Sequence, residues 1–169
     1  GIWFSDGGDV FLGHTRLSII DISSSGDQPF HSADSRYSIV FNGEIYNFKS
    51  LRSELVQKGY RFISKSDTEV LLYLFVEYGR LMLDKLNGIF AFAIFDVQKN
   101  ELFVARDRFG VKPFYFSDLE SGYVCSSEIK ALLPFLASEK EIDFKALAQY
   151  LTFIWSPGSR TALLKVKKL

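Results

Sequence analysis

The stretch Phe41-Asn42-Gly43-Glu44-Ile45-Tyr46-Asn47 decides how the fold of this chain is interpreted. It follows an apolar run, Tyr37 to Val40, whose β-branched and aromatic residues are typical of a buried strand. It precedes a helical pattern, in which Leu51 and Leu55 recur at helical spacing before Gly59. We therefore predict that the strand stops where this stretch begins and that its polar Asn-Gly-Glu segment follows the strand end.

Asn42, Gly43 and Glu44 are residue types that suit a small-ligand site. Glycine lets the backbone adopt φ > 0 and lets a ligand approach the main chain, so the Gly43 N–H and the Asn42 amide can point at one atom. Two such donors make an oxyanion hole, and the Glu44 carboxylate suits a ligand's ammonium group. An Asn-Gly pair is also a common hairpin-turn signal. The helical pattern that follows favours a ligand site over a turn.

Two other polar residues stand out. Arg16 lies in the predicted strand Gly13 to Ile20, and its planar guanidinium suits either a ligand carboxylate or an internal salt bridge. Asp67 belongs to Ser66-Asp67-Thr68-Glu69, a capping-box sequence that opens a helix, where a carboxylate also favours the helix dipole. The residues alone leave both alternatives open.

Composition limits the classes of protein and partner. The 169 residues are 47% hydrophobic, enough for a large core. Lys+Arg and Asp+Glu number 20 each and form no long block of one sign, which argues against nucleic-acid and membrane-surface partners. The longest apolar run, Ile89 to Phe95, has the length of a strand and not of a membrane span. The single cysteine, Cys125, excludes an internal disulfide and favours the cytoplasm. His14 and His31 lack ligand-spaced partners, so we expect no metal site.

The order of the predicted elements indicates sheets covered by helices. A first hairpin is followed by strands, a helix pair, a meander of strands and further helices, without an internal repeat or linker. The predicted segments are Ile2–Phe4, Val10–Leu12, Arg61–Ser64, Leu102–Ala105, Phe114–Phe116, Tyr123–Cys125 and Ala162–Val166 as strands, and Ser127–Leu133 and the residues after Asp143 as helices. We predict one α+β domain.

Six blocks of the sequence resemble, in order, the glutaminase domain of the glutamine-hydrolysing asparagine synthetases, a class II glutamine amidotransferase domain. Together they span nearly the whole chain: Gly13–Ile19, Phe41–Asn47, Ser66–Glu69, Leu86–Phe92, Ala105–Pro113 and Ser126–Leu132. The resemblance implies an N-terminal-nucleophile hydrolase fold with four αββα layers, in which two antiparallel sheets are stacked.

The resemblance also implies a reaction and a role for each candidate residue. In that family an N-terminal cysteine attacks the side-chain amide of L-glutamine, with its own α-amino group as the base, and ammonia is released. Asn42 and Gly43 would stabilise the oxyanion, Arg16 would bind the α-carboxylate, and Glu44 and Asp67 would hold the α-ammonium. The backbone of four further residues would line the same pocket: Leu17, Ser18, Ile19 and Ile20.

In the whole enzyme, ammonia would reach a synthetase domain that activates L-aspartate with ATP and Mg²⁺. The resemblance thus implies a glutaminase domain over residues 1–150, without its nucleophile segment and without a cofactor, and a connection to the synthetase domain that starts in 151–169. We expect a chain cut at both ends, with the nucleophilic cysteine upstream of Gly1, and hence neither glutaminase nor ligase activity in these residues alone. Cys125 has no adjacent base to replace that nucleophile. A homodimer is also expected.

Two alternatives remain open at this point. The same domain serves amidotransferases whose acceptor is a sugar, another saccharide, a peptide or a phosphoribosyl group. A chain that lost its cysteine could instead be a non-catalytic binding module. The blocks around Arg106–Pro113 and Ser126–Leu132 favour the synthetase, and the complete set of ligand-suited residues argues against the binding module.

Overall fold

The computed structural model describes residues 1–15, 26–120, 122–136 and 140–169. These residues form two compact units, 1–107 and 108–169. The predicted strand segment from Arg16 to Ile20 lies outside the described residues. In the part of the chain that is described, no helix is both long and apolar enough to span a bilayer.

The first unit contains a hairpin and a four-stranded antiparallel sheet. The hairpin strands β1 (Ile2–Phe4) and β2 (Phe11–Gly13) pair as the glycines between them predict. The larger sheet consists of β3 (Phe30–His31), β4 (Tyr37–Ile45), β5 (Gly88–Asp96) and β6 (Glu101–Arg106), in that spatial order. The strand β5 is buried from Phe90 to Asp96, as its unbroken apolar sequence predicts.

Two helices and a 3₁₀ helix pack with one face of this sheet. They are α1 (Phe48–Gln57), α2 (Asp67–Tyr78) and the 3₁₀ helix Gly79–Lys85. Strand side chains alternate between faces, and alternate residues of β4 and β5 join the helices in one core: Ile39, Phe41, Ile45, Phe90, Phe92 and Ile94. The helices α1 and α2 occur where the sequence predicts them.

The prediction that the strand stops before Asn42 is wrong. The strand β4 runs on to Ile45. Its partner β5 continues the ladder beside it and pairs Asn42 with Ala91 and Gly43 with Phe90. These backbone pairs outweigh the low strand propensity of Asn and Gly. The polar segment is therefore part of the sheet.

The predicted strand Arg61–Ser64 is not formed. The amides of Ile63 and Ser64 donate instead to the Glu69 carboxylate, at 2.9 and 2.7 Å, and the Ser64 hydroxyl donates to it at 2.6 Å. Glu69 is fully buried, and these three donors satisfy its charge. Ser66 caps α2 as predicted, with its Oγ accepting from Glu69 N at 3.3 Å.

The second unit has a three-stranded antiparallel sheet and two helices. The strands are β7 (Tyr115–Leu119), β8 (Gly122–Ser126) and β9 (Lys167–Lys168), in the order β8-β7-β9. The helices are α3 (Ile129–Leu132) and α4 (Phe144–Phe153). Leu132, Leu136 and Val166 form the centre of its core. Asp143 caps α4 as predicted, with its Oδ1 accepting from Ala146 N at 3.0 Å.

Two predictions for this unit are wrong in extent. The predicted helix Ser127–Leu133 is a single turn, α3. The predicted strand Ala162–Val166 is absent, because hydroxyl groups bind its carbonyls: Ser117 Oγ donates to Lys165 O and Thr161 Oγ1 to Val166 O, each at 2.8 Å. Only the two residues after this segment, Lys167 and Lys168, pair with β7.

A bidentate ion pair joins the residue before β4 to the end of β5. Arg36 donates from Nε to Asp96 Oδ1 at 3.0 Å and from Nη2 to Oδ2 at 2.7 Å. The amides of Gln98 and Lys99 also donate to Oδ1. The hydrogen bond from Arg36 is the main reason that the pKa of Asp96 lies below its usual value.

We expect Asp96→Asn to lower the free energy of unfolding by roughly 1.5–3 kcal/mol at pH 7, the size typical of a hydrogen bond to a charged group. Because the pKa of Asp96 is lower in the folded than in the unfolded state, its contribution is complete above the unfolded pKa and is lost as the pH falls through the folded pKa. The difference from wild type in urea denaturation should therefore shrink below about pH 4. Asp84→Asn, at an exposed carboxylate, is the matched control. A difference that stays constant into the acid range would contradict this account.

Candidate functional site

The candidate site lies at the edge of β4 that faces away from β5. Hydrogen bonds in an antiparallel ladder alternate between the two sides of a strand. Asp107 N donates to Phe90 O at 2.7 Å, so Phe90 bonds away from β4. Phe90 pairs with Gly43 in the register, and the backbone groups of Gly43 therefore point to the opposite edge. The backbone groups of Phe41 and Ile45, two residues away on either side, point to the same edge.

The strand β3 pairs with this edge only as far as Ile39, and side chains bind the edge beyond it. Gln28 Oε1 accepts from Phe41 N at 2.6 Å, and His14 Nε2 donates to Phe41 O at 3.0 Å. Asp67 Oδ2 accepts from Ile45 N at 3.1 Å. Between these contacts, the Gly43 N–H has no hydrogen-bond partner among the described residues. It is the donor that the edge offers to a ligand.

Gly43 is required by the close approach of β5. A Cβ atom at this position would collide with Ile89 O, and would lie 2.7 Å from Phe90 Cα and 2.9 Å from the Phe41 ring. Two of these obstacles are backbone atoms, which cannot turn aside as a flexible side chain can. The sequence argument assigned this glycine to ligand approach, whereas the structure shows that packing between the strands already demands it.

We expect Gly43→Ala to lower the free energy of unfolding by about 1–3 kcal/mol, the usual cost of forcing extra volume into a packed region. Gly7→Ala is the matched control, because a Cβ at Gly7 would meet only the Asp9 side chain. Urea denaturation of the two variants measures the difference. Equal stability of Gly43→Ala and Gly7→Ala would show that β5 yields to the added methyl group.

Asp67 places a buried carboxylate beside the open donor. It is the first residue of α2 and is 5% exposed. Burial raises its pKa above the usual value, and the charge of Glu44 raises it further, while the hydrogen bond from Ile45 N lowers it. Two carboxylates in this arrangement favour a cation between them. A ligand's ammonium group would supply that charge.

The structure places Asp67 against the part of β4 that carries Gly43 and Glu44, and the joint role of these three residues stays a prediction. Asn42 is half-buried, and strand alternation puts its side chain on the face opposite the helices. Convergence of the Asn42 amide and the Gly43 N–H on one oxygen stays a prediction. The other predicted pocket residues lie outside the described residues, and their roles also stay predictions: Arg16, Leu17, Ser18, Ile19 and Ile20.

Sequence reasoning missed Gln28 and His14 at this edge. Residue types alone give no reason to link Gln28 to Phe41, and His14 was considered only as a metal ligand. The one available signal is the register, since extending the Phe30–Ile39 pairing backwards puts Gln28 opposite Phe41. Within the described ranges, no three His, Cys, Asp or Glu side chains are grouped closely enough for a metal ion.

Cys125 lies in β8 of the second unit, where it is half-buried. Burial raises the pKa of its thiol to about 11. The thiol is therefore protonated at neutral pH. A protonated thiol is a poor nucleophile, so this agrees with the expectation that Cys125 does not replace the missing cysteine.

The fold agrees with what comparison with known families shows. The chain matches the family of the glutamine amidotransferase domain over residues 1–169, and it belongs to that family. Its relatives include two asparagine synthetases (glutamine-hydrolysing) of Bacillus subtilis. Number 3 is 44% identical over 83% of this chain and 23% of the relative. Number 1 is 44% identical over 95% of this chain and 25% of the relative. The predicted resemblance to this group is confirmed.

Other relatives have different names. An amidase of Gibberella zeae is 40% identical over 80% of this chain and 20% of its own length. The chain thus spans about a quarter or less of the length of the curated relatives it matches.

Solved structures confirm the predicted α+β fold of the N-terminal-nucleophile hydrolases. The glutamine phosphoribosylpyrophosphate amidotransferase of Bacillus subtilis superposes with a TM-score of 0.60 at 29% identity, over 70% of this chain and 28% of that one. An allosteric regulatory enzyme of purine biosynthesis gives a TM-score of 0.56 at 27% identity, over 77% of this chain and 27% of that one. The predicted domain bounds, 1–150 and 151–169, stay a prediction.

Proposed function

We propose that the chain binds L-glutamine at the open edge of β4 and forms the glutaminase part of an asparagine synthetase. The observation that carries this proposal is the buried Asp67 carboxylate, bonded to Ile45 N, two residues along β4 from the open Gly43 N–H. Two residues of a strand span about 6.8 Å. Extended glutamine has a similar length between its α-ammonium nitrogen and its side-chain amide oxygen.

Each end of glutamine then meets a complementary group. The α-ammonium lies with Asp67 and Glu44, and its charge offsets the cost of holding two carboxylates together. The amide oxygen accepts from the Gly43 N–H and the Asn42 amide, which stabilise it more strongly as it becomes an oxyanion. Arg16 binds the α-carboxylate, and the backbone of residues 17–20 closes the pocket.

Hydrolysis needs a nucleophile that Cys125 does not provide, because its thiol is protonated at neutral pH. We propose that an N-terminal cysteine outside these 169 residues attacks the bound amide. The amidation of L-aspartate with ATP and Mg²⁺ is proposed for another part of the protein. Cytoplasmic location and a homodimer are parts of the same proposal.

An amidotransferase with another acceptor is the second candidate. Its support is the similarity to the amidase of Gibberella zeae and to the phosphoribosylpyrophosphate amidotransferase. The residues of the glutamine site do not distinguish these acceptors. The higher identity to the two synthetases favours L-aspartate.

We expect Asp67→Asn to weaken L-glutamine binding at least tenfold, because the ammonium group loses a buried charged partner. The same change should raise the free energy of unfolding at pH 7. A carboxyl group whose pKa is raised by folding favours the fold only while it is protonated, so its ionisation destabilises the fold as the pH rises. Isothermal titration calorimetry and urea denaturation measure the two effects.

Two controls separate this effect from a general one. Asp84→Asn removes an exposed carboxylate and should change neither quantity, and N-acetyl-L-glutamine, which lacks the ammonium group, should bind wild type no better than it binds Asp67→Asn. Equal affinities of wild type and Asp67→Asn for L-glutamine would refute the proposed ammonium site.

We expect the 169-residue chain to bind L-glutamine without releasing ammonia, because its single cysteine, Cys125, is protonated at neutral pH and lacks the free α-amino group that would serve as the base. Coupled glutamate dehydrogenase detects the ammonia. Cys125→Ala should retain wild-type glutamine affinity. Ammonia release that is abolished by Cys125→Ala would overturn the proposed nucleophile.

A further inference from the structure

Gln28 completes the β4 edge with its side chain. The strand β3 pairs Phe30 with Ile39 and His31 with Ser38, and this register continues to Gln28 opposite Phe41. The strand nevertheless begins only at Phe30. The side-chain oxygen of Gln28 therefore takes the position of a backbone acceptor and binds Phe41 N at 2.6 Å.

The other end of the same amide reaches α2. Gln28 Nε2 donates to Thr68 Oγ1 at 3.3 Å. Gln28 is 8% exposed and Thr68 is 3% exposed, so water competes little for this bond. Thr68 follows Asp67 in the first turn of the helix. One buried amide thus links the strand that carries Gly43 to the turn that carries the carboxylate.

The link through the Gln28 side chain leaves the Gly43 N–H without a partner among the described residues, whereas a longer β3 would bind it. If β3 continued in its register, residue 26 would stand opposite Gly43 and bind its N–H. The Gln28 side chain binds Phe41 N without a strand that extends to the position opposite Gly43. It therefore stabilises the edge while leaving the next donor to a ligand.

We propose that Gln28 is a positioning residue that sets the distance between the Gly43 N–H and the Asp67 carboxylate. This inference rests on the proposed binding of glutamine at that edge. The strand and the helix turn are joined on one side of Gly43 by Gln28 and on the other by the bond from Ile45 N to Asp67. Without the Gln28 link, the spacing between the strand and the helix turn is held less tightly, so a ligand that must reach both groups binds less well.

Gln28→Met tests this inference, because it keeps the length of the side chain and removes both hydrogen bonds. We expect about tenfold weaker L-glutamine binding and faster hydrogen exchange at the Ile45 amide, which lies beyond Gly43 on the same strand. Thr68→Val, which removes only the helix end of the link, should change both quantities in the same direction. It also gives an answer if Gln28→Met does not fold.

Ser38→Ala is the matched control. It removes a part-buried hydrogen bond between β4 and β3, which joins Ser38 Oγ and His31 Nδ1 at 2.8 Å, but no link to α2. It should leave both glutamine affinity and Ile45 exchange unchanged. Any effect of lost stability alone would appear in this variant too.

The two readouts separate the inference from the proposed function. If wild type binds glutamine and both link variants bind it equally well, the positioning role is overturned. If wild type does not bind glutamine, the proposed function fails. The hydrogen-exchange rates of the Ile45 amide then decide whether Gln28 links the strand to the helix turn. Faster Ile45 exchange in Gln28→Met and Thr68→Val, but not in Ser38→Ala, supports it, and equal rates in all of them overturn it.

Discussion

The hydrogen bond from the Ile45 amide to the Asp67 carboxylate joins the end of β4 to the start of α2. Most of the candidate site depends on this contact, because it holds a charged group from the helix against the strand that offers the donor. The contact in turn depends on a fixed helix start. Ser66 caps the helix, and the buried Glu69 binds the segment before it. The Asp67 carboxylate of the candidate site is thus supported by a second, structural carboxylate two residues away, that of Glu69.

Local sequence signals were sufficient for much of the first unit. Glycine pairs predicted the first hairpin, helical spacing predicted α1 and α2, and the unbroken apolar run predicted β5. Residue type also suggested the roles that are proposed for Asn42, Gly43 and Glu44. In each case the information lies within a few residues of the feature that it specifies.

The errors occur where the deciding partner is distant in the sequence. The strand β4 continues through Asn42 because Ala91 and Phe90 pair beside it, more than 40 residues later. Arg61–Ser64 has the composition of a strand, but its amides bind Glu69. Ala162–Val166 likewise has its carbonyls taken by Ser117 and Thr161. The part played by Gln28 required the register of β3, which composition does not contain.

The side chains along β4 also affect how the protein behaves in a crowded solution. An open strand edge is a template to which a foreign strand can add, and this is a common route to aggregation. Here Gln28, His14 and Asp67 already bind the backbone on both sides of Gly43. Among the described residues, the gap that these contacts leave between Phe41 and Ile45 is the single residue Gly43, which is too short to nucleate pairing with another polypeptide.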